Sequence, residues 1–135
     1  MNILIIHTPN SGATTLLQYI GGSYTNENGV DSTIKNDVRY VAIPPNTRSP
    51  LPIVYNGVVL LFDSTDYESL SYFKDQCIFY IQEGIPCIAF GNKDDISHGE
   101  LPIGKIEKYL YSTIPVYLGS AKTGKNIDAI YNLLK

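Results

Sequence analysis

Three continuous apolar runs constrain this chain more than any other feature: Ile3-Leu4-Ile5-Ile6, Val58-Val59-Leu60-Leu61-Phe62 and Pro86-Cys87-Ile88-Ala89-Phe90. A strand with one wet face alternates apolar and polar residues. A strand that is apolar at every position must be covered on both faces, as in a parallel sheet between two helical layers. Ile114-Pro115-Val116-Tyr117-Leu118 is a weaker strand because of its early proline. Val38-Arg39-Tyr40-Val41-Ala42-Ile43 alternates more and stops at Pro44-Pro45, which suits a strand nearer the sheet edge.

Helical patterns fall between these runs. Residues 13–20 read as a short helix closed by Gly21-Gly22. Thr65-Asp66-Tyr67-Glu68 has the spacing of a capping box, and Leu70, Phe73, Cys77, Ile78 and Ile81 follow at helical intervals up to a stop at Gly84. Ile106, Tyr109 and Leu110 mark a third helix, and Ile127, Ile130 and Leu134 a fourth. The stretch from Gly21 to Asn36 is rich in Gly, Asn, Ser and Thr, and residues 44–52 hold four prolines, so both are expected to be loops. Alternating strands and helices predict an α/β fold with a mostly parallel sheet. A length of 135 residues with no linker or repeat predicts one domain over residues 1–135.

Composition removes several function classes. A net charge of −3 and the absence of any Lys/Arg run give no electrostatic support for binding nucleic acid. The longest apolar run is too short to span a bilayer. Neither a leader-like N-terminus nor a lipidation box is evident, so the expectation is a cytoplasmic protein with no direct membrane anchor. Cys77 and Cys87, the two cysteines, sit among apolar neighbours and read as reduced, buried thiols. His7 and His98 lie far from any Cys or acidic cluster, so no zinc site is expected. Eleven tyrosines against four phenylalanines and no tryptophan are compatible with a protein partner.

In an open α/β sheet, ligands bind beyond the carboxyl ends of the strands. The loop after the third apolar run reads Gly91-Asn92-Lys93-Asp94-Asp95, and the loop after Leu118 reads Gly119-Ser120-Ala121-Lys122. In these two loops, and in Phe62-Asp63-Ser64-Thr65-Asp66-Tyr67-Glu68-Ser69, the chain resembles the Ras/Rab-like small GTPases. That family reads guanine with Asn-Lys-x-Asp and Ser-Ala-Lys. The resemblance runs from about Gly57 to Lys135, covers the first fifteen residues in part, and implies a three-layer P-loop NTPase-like G-domain binding GDP or GTP. Either tetrapeptide alone is compatible with an ordinary polar turn or helix cap; the two together, in order and each behind a strand, point to a purine site.

The chemistry of guanine agrees with that resemblance. Its ring N1–H and exocyclic amine are adjacent donors, which one carboxylate accepts together; Asp95 is the candidate. Adenine lacks the ring donor and would leave that carboxylate unpaired. Asn92 would bridge the ring and tie the loop to neighbouring strands, the stem of Lys93 would lie along the base face, and the Ala121 N–H would donate to the guanine carbonyl. Ser120 and Lys122 complete that loop.

The phosphate end departs from the family pattern. Where the family has Gly, four residues and Gly-Lys-Ser/Thr, this chain has His7-Thr8-Pro9-Asn10-Ser11-Gly12-Ala13-Thr14. Gly12 and Thr14 match; His7 replaces the first Gly and Ala13 replaces the Lys. The candidate phosphate loop is Asn10, Ser11, Gly12, Ala13, Thr14 and Thr15, whose backbone amides could face an anion at a helix N-terminus. An equally open reading is a plain strand-to-helix turn. The resemblance would put Mg²⁺ on Thr14. However, the family's Asp-x-x-Gly is here Ile43-Pro44-Pro45-Asn46, and Thr47 stands where relatives keep a water-orienting Gln. Thr33 lies near the family's metal-contacting switch Thr, and an ordinary threonine is the favoured reading there.

Phosphoryl transfer depends on positioning and charge neutralisation, so these replacements predict little or no GTP hydrolysis. Three readings follow: a G-domain that binds guanine nucleotide weakly with little GDP/GTP discrimination, a nucleotide-free pseudo-GTPase serving as an interaction module, or a working GTPase with an atypical metal ligand such as Asp31 or Asp37 or with catalytic groups supplied by a partner.

Overall fold

The structure is a computed structural model and describes residues 1–8, 10–27, 30–44, 54–66, 73, 79–80, 82–93 and 114–134. Seven strands form one sheet: β1 (Asn2–His7), β2 (Ser23–Glu27), β3 (Val30–Lys35), β4 (Val38–Ile43), β5 (Gly57–Asp63), β6 (Cys87–Asn92) and β7 (Val116–Leu118), in the order β2-β3-β4-β1-β5-β6-β7. From β4 to β7 every pairing is parallel; β2, β3 and β4 form an antiparallel meander. The α/β, mostly parallel architecture expected from the apolar runs is the one observed.

The runs are buried for the anticipated reason. Ile3 and Ile5 pack with Leu16, Leu17 and Ile20 of helix α1 (Ala13–Ile20), together with Ile127 and Ile130. Leu4 and Ile6 point to the opposite layer, with Phe62, Phe73 and Ile114. Alternate residues of one strand thus serve two cores, so neither face tolerates a polar side chain. Helix α1 ends where the double glycine predicts: Gly21 has φ 75° and its N–H reaches Leu17 O at 3.0 Å. Gly84, at φ 71°, ends the helical turn around Phe79 and Tyr80, with the Ile85 N–H returning to Tyr80 O at 3.1 Å. That is the six-residue bond of a Schellman stop. The C-terminal segment is a short helix α2 (Asp128–Tyr131) running into a 3₁₀ turn (Asn132–Leu134), with Ile127 and Ile130 buried.

Two expectations are corrected. The polar stretch from Gly21 to Asn36 is a β-hairpin, not a loop. All five residues of β2 are exposed because it is the edge of the sheet, which lets a strand be polar throughout. Its cross-strand contacts are themselves polar, such as Thr25 Oγ1 with Ser32 Oγ at 2.9 Å. The strand Val38–Ile43 lies between β1 and β3, not near the edge, since the hairpin covers its outer side. The Ile106 helix, Cys77, His98, Glu68 and most of the Leu70–Ile81 pattern lie outside the described residues. Cys87 is buried, as expected. No helix among the described residues is long and apolar enough to cross a membrane.

Candidate functional site

Because β1, β5, β6 and β7 are parallel, their carboxyl ends share one rim of the sheet, and the segments after them converge there. Asn92, the last residue of β6, is 3% exposed and joins three of those segments. Its Nδ2 donates to Ser11 O at 2.8 Å, and its Oδ1 accepts the Ala121 N–H at 2.8 Å. Its own carbonyl accepts the Ser64 N–H at 2.8 Å. A buried amide with both ends bonded fixes the loops after β1, β5 and β7 relative to one another.

Gly12 is where the loop after β1 touches this amide. It has φ 87°, and a Cβ there would overlap Asn92 Nδ2, so both backbone and space demand glycine. Its carbonyl accepts the Leu16 N–H at 2.9 Å and starts α1. Ser11 is 1% exposed, and its Oγ and N–H both return to Thr8 O, at 2.7 and 3.3 Å. Asn10, Thr14 and Thr15 are exposed and Ala13 is half-buried.

Lys93 forms a second tie. Its ammonium donates to Asn10 O and pairs with Asp63 Oδ2 at 3.0 Å. Both Asn10 and Lys93 have positive φ, 58° and 65°, so two left-handed residues face each other across one hydrogen bond. Asp63 also accepts the Thr65 N–H at 2.8 Å and the Thr65 hydroxyl at 2.5 Å. Burial pushes the Asp63 carboxyl up, but the Thr65 donors and the Lys93 ammonium outweigh it and hold the group below its ordinary value. Burial dominates at His7 and lowers it, against smaller upward pulls from the Thr8 backbone and Asp31, which favours the neutral ring.

Ser120 is fully buried; its Oγ accepts the Thr123 N–H at 3.2 Å and its carbonyl accepts the Gly124 N–H at 2.8 Å. Gly124, at φ 87°, leaves room for the Tyr19 hydroxyl of α1. Lys122 is exposed. The sequence-selected residues Asn10, Ser11, Gly12, Asn92, Lys93, Ser120 and Ala121 therefore meet at one rim. Asp95 lies outside the described residues.

The Ala121 N–H, read as a donor to a base carbonyl, donates to Asn92 Oδ1 in this structure. Sequence reading gave Asp63 no role; the signal was a carboxylate closing an otherwise apolar strand. It also missed Thr8 and Ser64, whose hydroxyls are buried at the same rim without a hydrogen-bond partner among the described residues.

The donor set does not fit Mg²⁺. Ile43 is a buried hydrocarbon where a metal-orienting carboxylate would stand, and Thr33 is 1% exposed with its hydroxyl bonded to Gly21 O. Asp31 accepts Tyr24 and Asn26 at 2.5 and 2.7 Å. Asp37 sits beside the N-terminal amine, at the opposite rim of the sheet. No group of three or more His, Cys, Asp or Glu gathers among the described residues.

Comparison of this backbone with solved structures decides the fold. It superposes on the cytosolic domain of the T. maritima FeoB iron transporter in its GMPPNP form with a TM-score of 0.67 and 16% identity, over 99% of this chain and 62% of that one. It also superposes on a GTP-binding protein from the hyperthermophilic archaeon Sulfolobus solfataricus, in complex with GDP, with a TM-score of 0.62 and 22% identity, over 98% of this chain and 52% of that one. The fold is that of a P-loop GTPase domain. The chain thus spans less than two thirds of the length of either neighbour. The sequence itself matches no family model and no curated protein. Within the G-domain fold, the Asn92 clasp lies at the rim where such α/β sheets hold their ligands.

Proposed function

We propose that this chain is a divergent member of the Ras/Rab-like small GTPases that binds guanine nucleotide, GDP or GTP, hydrolyses GTP slowly or not at all, and acts as a regulatory or interaction module for a protein partner. The observation that carries the reading is the Asn92 clasp. One buried side chain on the Asn92 loop bonds both the loop after β1 and the loop at Ser120-Ala121, which fixes the three segments that would surround a nucleoside. Asn92, Lys93 and Asp95 would form the base-facing loop and Ser120, Ala121 and Lys122 its opposite wall, with Asp95 accepting the two adjacent guanine donors.

Fluorescent-GDP titration tests it. Wild type is expected to bind saturably, and Asp95→Ala to weaken binding by on the order of 100-fold, the loss of two charge-assisted hydrogen bonds. Equal binding by both proteins removes the base-reading role. Phosphate release at saturating GTP is expected to stay near the uncatalysed background, because Ala13, Ile43, Asn46 and Thr47 replace the charged and water-orienting groups. Turnover like that of an ordinary small GTPase would overturn the second half of the proposal.

A nucleotide-free scaffold is the second reading. In its favour, the polar atoms of the Asn92 amide and the Lys93 ammonium are bonded to protein atoms of the neighbouring loops. The same titration separates the two.

A further inference from the structure

We infer that the site recognises the guanine nucleoside and is indifferent to the number of phosphates attached, so that guanosine, GMP, GDP and GTP are equivalent ligands. The inference rests on the guanine reading above and adds which part of the ligand supplies affinity. Its basis is the charge and hydrogen-bond pattern where a phosphate chain would run, along residues 7–15.

That segment has no Lys or Arg. Its one ionisable side chain, His7, is held neutral by burial. The nearest described cation, Lys93, already has both an anionic and a carbonyl partner, Asp63 Oδ2 at 3.0 Å and Asn10 O, so its charge is neutralised where it stands. The Asp63 carboxyl is held below its ordinary value and stays ionised, so the pair offers a polyphosphate no net positive charge. Two loop amides are also engaged: the Thr8 N–H by Leu61 O at 3.1 Å and the Ser11 N–H by Thr8 O at 3.3 Å. What remains for an anion is the short α1 terminus, whose Thr14 and Thr15 are open to solvent that screens its dipole. On the base side, by contrast, Asn92 and Ser120 are buried and hydrogen-bonded. Affinity therefore resides in the base, and each added phosphate meets no unpaired cationic side chain along residues 7–15.

The experiment is calorimetric titration of the wild-type protein with guanosine, GMP, GDP and GTP at pH 7.5. Dissociation constants within about threefold of one another are expected, a difference below a kilocalorie-scale contact. GDP or GTP binding about tenfold or more tighter than guanosine overturns the inference and leaves the guanine reading standing. No binding of any of the four, by protein whose thermal melt shows it folded, overturns both. Ala13→Lys supplies the missing ammonium and is expected to raise the GDP-to-guanosine affinity ratio about tenfold, as one charge-assisted contact would. Asp63→Asn, which releases Lys93, should move the ratio in the same direction. Ratios unchanged in both variants overturn the electrostatic account.

Discussion

The base-side loops and the loop between β1 and α1 occupy the same rim and meet through one side chain, yet they differ in what they retain. At Asn92 and Ser120 both geometry and chemistry are present: buried polar groups with bonded partners, each at the end of an apolar strand. Along residues 7–15 only the geometry is present. Gly12 turns the chain, its carbonyl begins the helix, and the charged side chain expected after it is Ala13. Backbone shape is secured by glycine and by main-chain bonds, which survive side-chain replacement; phosphate chemistry is carried by side chains, which do not.

Removing the joint between the two regions should have the largest structural effect. Asn92→Ala leaves Ser11 O and the Ala121 N–H buried without partners. Each orphaned group costs about 1–3 kcal/mol, so a loss of roughly 2–5 kcal/mol in urea unfolding is expected. A loss below about 0.5 kcal/mol would mean that the two loops hold their places independently. Gly12→Ala comes next. It adds a Cβ against the Asn92 amide at a left-handed position, and about 1–3 kcal/mol of destabilisation is expected, measured the same way. Combined with Asn92→Ala, the Gly12 penalty should shrink, because the atom it meets is gone; full additivity would show that the cost is conformational alone.

The sheet was legible where burial forces a pattern. Residues 3–6, 58–62 and 87–90 are apolar at every position because two cores press on them, and the structure places each run in a strand of the parallel part of the sheet. The β2–β3 hairpin was illegible for the converse reason. An edge strand has one partner and one wet side, so Ser23–Glu27 carries the composition of a loop, and its pairing appears only in cross-strand contacts such as Tyr24 with Asp31. Hiding that hairpin also misplaced β4. At the rim, the identities of Asn92, Lys93 and Ser120 could be read from their spacing. Their partners could not, because Ser11 O, Asn10 O and the Ala121 N–H are backbone atoms that every sequence possesses. The Asp63–Lys93 pair escaped because its members lie 30 residues apart and meet only once β5 and β6 are aligned, Asp63 beside Asn92.

That ion pair allows the finest test of the contrast, because it belongs to both regions: Asp63 ends β5 and Lys93 reaches the loop after β1. The folded-state Asp63 carboxyl lies below its ordinary 3.8, so above about pH 5 the group is ionised in both folded and unfolded chains and its stabilisation is complete. As pH falls through 3.8 the unfolded chain takes up its proton first, and the contribution is lost as pH drops on through the lower folded-state value. The pair is partly open to water, with Lys93 33% and Asp63 14% exposed, so about 1 kcal/mol or less is expected from it. The readout is the stability difference between wild type and Asp63→Asn, which cancels the other carboxylates to first order. It should be constant from pH 7 to 5 and shrink towards zero as the solution is acidified below 4. A difference that stays constant to pH 3 would show that the contribution of Asp63 does not depend on its charge, and would release Lys93 from the role of neutralised cation.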